Sequence, residues 1–205
     1  YYPFWLTKLW EKRGVRPEIR DGELEIIRDN TVDYLGYSYY FSNVCKHEEG
    51  HMYDGGALVP GGAKTTNEYC NEFSPDPWRF RKDPKGFRIL IEEYADRYHL
   101  PMFIAENGIG LYEDESNGVP IQDPERVKYL EEHLKQLHMA IEDGAPVFGY
   151  CWWGPIDLVS SGSGEMDKRY GFIYVDYHND GTGDMHRSIK QSYYRYKEII
   201  ENNGL

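Results

Sequence analysis

Three short stretches of this 205-residue sequence combine residue types that can do chemistry. Phe103-Ile104-Ala105-Glu106-Asn107-Gly108 ends an apolar run in a carboxylate. If the run is a strand of an α/β sheet, Glu106 stands where the backbone leaves the sheet, at the end where such folds gather reacting groups. Asn107-Gly108 then supplies a tight turn and amides able to fix the carboxylate; an ordinary capping or turn acid is the alternative for this motif alone. Tyr150-Cys151-Trp152-Trp153-Gly154-Pro155-Ile156-Asp157 ends a second apolar run in two indoles. Open tryptophan faces suit the apolar C–H faces of sugar rings, and buried core tryptophan is the competing reading. Ser160-Ser161-Gly162-Ser163-Gly164, followed by Lys168-Arg169-Tyr170-Gly171, offers hydroxyl donors, pliable backbone and one or two cations. That is the equipment a phosphate needs, although a surface turn with two solvated bases has the same composition.

The elements that must position these groups alternate. Leu6, Leu9 and Trp10 have helical spacing that ends near Gly14 and Pro17, and Glu23–Arg28 reads as a short helix. Val32–Phe41 is aromatic and strand-like. Residues 42–82 are rich in Gly, Pro, Asn and Asp and read as a long connection without structure of its own. Asp83-Pro84 starts a helix with the stripe Phe87, Leu90, Ile91, Tyr94 and Tyr98. A strand over Pro101–Ala105 follows, then a helix from Asp123-Pro124 with the stripe Val127, Leu130, Leu134, Leu137 and Ile141, closed by Gly144. Val147–Trp153 is the next strand, and Phe172–Tyr177 is one arm of a hairpin turning at Asn179-Asp180-Gly181. Ile189, Tyr193, Tyr196 and Ile200 mark the last helix. Alternation of this kind predicts a parallel sheet covered by helices. Three principal strands are too few for a closed barrel, which needs eight, so the expectation is part of a larger sheet.

Composition narrows the function classes. The formal charge of −12 excludes a general nucleic-acid binder, which carries a basic face. The 40% hydrophobic content, with 19 Tyr and five Trp, excludes a disordered chain. No apolar run is long enough to span a bilayer, and the Tyr1-Tyr2-Pro3-Phe4-Trp5 start lacks the pattern of a signal peptide. That start also fits a chain cut from something longer. Cys45, Cys70 and Cys151 read as reduced thiols. The seven His show no metal-ligand spacing; His133 and His138 read as solvated or capping residues, and Asp114-Glu115 and Glu131-Glu132 as solvated acidic faces.

The three motifs in this order resemble the C-terminal portion of glycoside hydrolase family 1, the retaining β-glycosidases, over nearly the whole chain. The resemblance implies an α/β chain, about strands 6 to 8 of a TIM (β/α)8 barrel, with residues 1–205 forming one C-terminal portion. Asp33–Tyr40 is similar to the sixth strand, Phe103–Gly108 to the seventh and Tyr150–Asp157 to the eighth, while Arg187–Ser192 resembles the family's last-helix signature. The resemblance makes Glu106 the catalytic nucleophile, Tyr40 its hydrogen-bonding tyrosine and Trp153 the platform under the sugar. Most of the family carries a Glu seven residues after that Trp. Here the position is Ser160, with Lys168 and Tyr170 following, as in the 6-phospho-β-glycosidase branch, where Ser, Lys and Tyr bind the 6-phosphate. A carboxylate would repel a phosphate dianion, whereas Ser with Lys accepts one. Ser161 stands where the 6-phospho-β-galactosidases tend to have Trp, which favours a gluco-configured substrate. Ser38 replaces the usual Asn near the nucleophile.

The implied activity is retaining hydrolysis of 6-phospho-β-glucosides, without metal or organic cofactor. A charged sugar does not cross membranes passively, so the implied compartment is the cytoplasm of a bacterium. Retaining hydrolysis needs a second carboxyl group, which the family carries in an Asn-Glu-Pro motif. No Asn-Glu-Pro occurs here; Asn67-Glu68-Tyr69 and Asn71-Glu72-Phe73 are poor substitutes. The expected partner is therefore the N-terminal barrel portion with its acid/base Glu, and a phosphosugar-binding piece without turnover is the alternative.

Overall fold

A computed structural model describes residues 2–47, 63–66 and 72–205. The chain divides into two compact units, 1–35 and 36–205, with the boundary at the first residue of β1. The first holds two short helices, α1 (Phe4–Arg13) and α2 (Glu23–Asp29), where the spacing predicts them. Neither buries a residue, and the Tyr2 ring meets Trp10 edge-on at 5.1 Å.

The second unit runs β1 (Leu35–Ser38), β2 (Val44–His47), β3 (Ala63–Thr66), α3 (Pro84–Tyr98), β4 (Met102–Asn107), α4 (Pro124–Glu142), β5 (Val147–Trp152), β6 (Ile173–Val175), β7 (Arg187–Ile189) and α5 (Gln191–Asn202). Its principal sheet has the order β1-β4-β5, with β4 and β5 parallel, as alternation demands. The α3 start follows the cap rule: the Asp83 carboxylate accepts the Gly86 N–H at 2.9 Å and Pro84 fills the first turn.

Four expectations need correction. The 42–82 connection is not structureless, because β2 and β3 pair antiparallel within it, with Val44 opposite Thr66. Val44, Thr65 and Thr66 are β-formers in a segment whose Gly and Pro content dominates the composition. The expected turns at Asp54-Gly55-Gly56 and Gly61-Gly62 lie outside the described residues, as do Cys70 and the Asn67–Asn71 stretch. The buried face of α4 is Arg126, Tyr129, Leu130, His133, Leu137 and Ala140, rotated from the expected stripe, and Ile141 is exposed. Tyrosine, arginine and histidine count as polar by residue type, yet they fill this face, Arg126 and Tyr129 with their polar atoms paired inward and His133 with Nδ1 bonded to the Tyr129 carbonyl. His133 is thus a fully buried residue, not a solvated one. Last, Arg187–Ser192 is not a helix signature alone: its first three residues are β7, antiparallel to β6, and the helix starts at Gln191. The turn at the far end of that hairpin falls where Asn179-Asp180-Gly181 predicts it, closed by the Gly181 N–H on the His178 carbonyl.

The core is aromatic. Phe80, Ile109, Leu111, Tyr129, Leu130, Trp152, Tyr170, Phe172 and Ile199 form one buried cluster, with Tyr40, Tyr150 and Trp153 packed against it. Several of the rings named in the sequence motifs therefore share one wall.

Candidate active site

Glu106 is the penultimate residue of β4 and is half-buried. Its carbonyl accepts the Tyr39 N–H at 2.9 Å, which fixes the backbone just beyond β1 beside it. That juxtaposition lets the Tyr40 hydroxyl donate to Glu106 Oε2 at 3.0 Å. Burial, then the Glu106 carboxylate, push the Tyr40 phenol well above its ordinary range, so it stays a neutral donor. The arrangement orients one carboxylate lone pair and leaves the other oxygen for chemistry.

Asn107 does something other than fix that carboxylate. It is fully buried and its amide reaches inward. Nδ2 donates to the Tyr39 carbonyl at 2.7 Å and to the Tyr129 hydroxyl at 3.0 Å, while Oδ1 accepts from the Tyr150 hydroxyl at 2.8 Å. Tyr129 in turn donates to the Tyr40 carbonyl at 2.7 Å. One amide thereby ties the end of β1, α4 and β5 around the carboxylate-bearing strand. A register irregularity between Ile104 and Asn107 breaks the strand alternation, so Asn107 is buried beside the half-buried Glu106.

The tryptophan pair is split at the end of β5. Trp152 is 7% exposed and donates from Nε1 to the Tyr170 carbonyl at 2.8 Å, so the buried-core reading holds for it. Trp153 is half-buried, held by its own N–H on the Asn107 carbonyl at 2.9 Å.

Ser160, Lys168 and Tyr170 meet on one side of this wall. The Ser160–Gly164 loop closes on itself through the Gly164 N–H to the Ser160 carbonyl, with Gly164 at φ 70°, a left-handed backbone that glycine adopts freely. Ser160 is buried, and its hydroxyl bonds to Ser163 at 3.1 Å and to the Tyr170 phenol. Burial raises the Tyr170 pKa although the Ser160 bond pulls against it. Lys168 and Tyr170 lie together over Gly110: a Cβ there would fall 2.9 Å from carbons of both. Tyr170 also lies close enough to Tyr40 to act on its titration. Among the described residues, no carboxylate pairs with Lys168.

Arg169 does not join them. It is fully buried, pairing with Asp157 at 3.4 Å and donating to the carbonyls of Glu113, Val175 and Tyr177. The Leu111–Arg169 bridge makes this stretch extended, so side chains alternate and the second expected phosphate cation turns inward. There it also pairs with Asp167 at 3.5 Å and enters an ionic knot that the motifs did not reveal. Arg126 pairs with Glu113 at 2.6 Å and Asp123 at 3.1 Å; Lys190 pairs with Glu113 at 2.6 Å and Asp157 at 2.9 Å. Arg126 also donates to the Ile109 and Tyr170 carbonyls, both at 2.8 Å. Burial works to raise the Glu113 pKa, but Arg126 and Lys190 outweigh it and hold the carboxyl below its usual range. Asp123, the expected cap of α4, makes no cap bond and serves Arg126 and Ser192 instead. One signal was available: Arg126 lies four residues before Leu130 on the apolar stripe, three after Asp123.

Among the described residues, Asp176, Asp184 and His186 are a group whose ligand atoms lie within 4.8 Å of one another. Hydrogen bonds already engage them: His186 Nδ1 with Asp184 Oδ1 at 2.6 Å, and the Asp184 N–H with Asp176 Oδ2 at 2.9 Å. No helix among the described residues is long and apolar enough to cross a membrane.

The model of glycosyl hydrolase family 1 matches residues 1–205. An aryl-phospho-beta-D-glucosidase of Bacillus subtilis is 42% identical over 205 residues, covering 100% of this chain and 42% of its own length. A 6-phospho-beta-glucosidase of Clostridium longisporum is 40% identical, with 99% and 42% covered. A family 1 β-glucosidase structure from Thermotoga maritima superposes at TM-score 0.79 with 25% identity, over 100% of this chain and 42% of that one. The chain thus spans about two-fifths of the relatives it matches. With its parallel sheet it is a fragment of their barrel fold, and it belongs to glycosyl hydrolase family 1.

Proposed function

We propose that this chain supplies the nucleophile and the phosphate-holding groups of a retaining 6-phospho-β-glucosidase, β1, β4 and β5 being strands 6 to 8 of its barrel. The observation that carries the reading is Lys168: in a chain of charge −12 its ammonium has no carboxylate partner among the described residues, and it lies beside Tyr170, which Ser160 binds. Anion recognition needs such an uncommitted cation with hydroxyls around it. A phosphate oxygen would accept the Ser160 hydroxyl proton while Ser163 goes on donating to the Ser160 oxygen.

In the assembled enzyme Glu106 attacks the anomeric carbon while Tyr40 holds its other oxygen. An acid/base carboxyl about 5–5.5 Å away protonates the leaving oxygen, and water then hydrolyses the glycosyl-enzyme with that residue as base. The second carboxyl belongs to the part of the relatives that this chain does not span. Glu72 is no candidate, since Lys82 and Lys128 both engage it at 2.7 Å. Trp153 stacks under the sugar, and phosphate binding energy helps orient the reacting centre. Ser161 leaves room for the gluco configuration, and the charged substrate implies the cytoplasm of a bacterium.

Hydrolysis of an aryl 6-phospho-β-glucoside by this chain mixed with the N-terminal portion of a relative tests the reading. Glu106→Gln is expected to lower kcat by roughly a thousandfold or more with binding kept. Lys168→Ala is expected to raise KM about thirtyfold, the worth of a charged hydrogen bond. Full turnover of the Lys168→Ala mixture would sink the phosphate assignment. A second reading, a phosphosugar-binding chain without turnover, is favoured by the missing Asn-Glu-Pro, and an inactive mixture that still binds glucose 6-phosphate would establish it.

A further inference from the structure

Tyr170 is held from within, because Arg126 and Trp152 both donate to its carbonyl. Lys168 lies at the other end of the extended stretch, and the two residues before it are gripped by the turn of the β6–β7 hairpin. Asn179 Oδ1 accepts the N–H groups of Met166 at 2.7 Å and Asp167 at 3.2 Å. The Asp167 carboxylate answers by accepting the Asn179 N–H at 3.3 Å and bonding His178 Nδ1 at 2.8 Å. The turn is itself stiffened by the Asp180 carboxylate, which takes the N–H and hydroxyl of Thr182 at 2.9 and 2.6 Å. Side chain thus binds backbone in both directions, immediately before the lysine.

We infer that Asp167, His178 and Asn179 are positioning residues for Lys168, setting where its ammonium meets an anion although none of them touches the ligand. The inference rests on the reading of Lys168 as a phosphate group's partner. It deepens that reading by naming what confers selectivity for a phosphorylated over a plain sugar. A lysine has a flexible four-carbon stem and recognises anions as a point charge, so the entropy of confining it is a large part of its contribution. Fixing its backbone, with the stem laid along Gly110, reduces that loss.

Asp167 makes the inference separable from simple electrostatics. Its negative charge is next to Lys168 in sequence and pairs with buried Arg169 at 3.5 Å, so on Coulombic grounds Asp167→Ala should tighten anion binding. Positioning predicts the reverse. The experiment is an NMR titration of the 205-residue chain, able to read millimolar affinities, with glucose 6-phosphate, inorganic phosphate and glucose as separate probes. Asp167→Ala and Asn179→Ala are each expected to weaken glucose 6-phosphate about tenfold and inorganic phosphate in parallel, with glucose unmoved. If Asn179→Ala loses its dispersed spectrum, His178→Ala carries the same comparison. Weakening by Lys168→Ala alone, or tightening by Asp167→Ala, would overturn the clamp and leave the phosphate reading standing. An indifferent Lys168→Ala would remove both.

Discussion

His133 shows how one residue's surroundings set its chemistry. It is fully buried, stacked on Tyr129 at 3.8 Å between centroids, with Nδ1 at 2.8 Å from the Tyr129 carbonyl and Nε2 unpartnered. Nδ1 therefore carries the proton of a neutral ring. Burial lowers its pKa from 6.5 to about 4, against the smaller pull of the Tyr129 bond. The unfolded chain takes up this proton near pH 6.5 and the folded chain only near 4, so stability falls as pH drops through that window, by about 3 kcal/mol in all. Urea unfolding at pH 7 and pH 4.5 is expected to show most of that loss in the native chain and a smaller one in His133→Phe. An equal loss in both would refute it. Nothing in the sequence separated His133 from the exposed His138, because burial depends on which way α4 rolls. Lys168 and Arg169 posed the same problem: adjacent cations of like composition, divided by the alternation of an extended backbone.

At the level of elements, the sequence was most legible where a rule is local. Helix starts at Pro84 and Pro124, the β4 and β5 runs and the Asn179 turn all follow from spacing and turn chemistry. The Tyr40–Glu106 contact and the company of Ser160, Lys168 and Tyr170 were reached through resemblance, not spacing. The Asn107 brace and the ionic knot joining Glu113, Asp157 and Lys190 stayed hidden, because their partners lie tens of residues apart and carry no shared period. The brace has a measurable weight. Asn107→Ala strands the Tyr39 carbonyl and the Tyr150 hydroxyl in the interior, and should cost on the order of 3 kcal/mol in chemical denaturation. Tyr150→Phe removes one bond and should cost about 1 kcal/mol. Equal losses would mean that Asn107 does not integrate the three elements.

Across the whole molecule, β5 pairs with β4 and with no other strand among the described residues, leaving one long edge of the sheet open. An open edge is a template for another strand. What keeps the mouth of the sheet in order meanwhile is the buried knot of Arg126, Arg169 and Lys190 with Glu113, Asp123 and Asp157. Removing one partner strands another charge in the interior, so these loops cannot loosen one at a time. The knot makes them a single cooperative unit in time as well as in space. Their protected amides, Leu111, Arg169, Gly171 and Ser192, are expected to exchange with deuterium at one common opening free energy, where separate loops would spread over several. The floor of the proposed site then opens only when the sheet itself does.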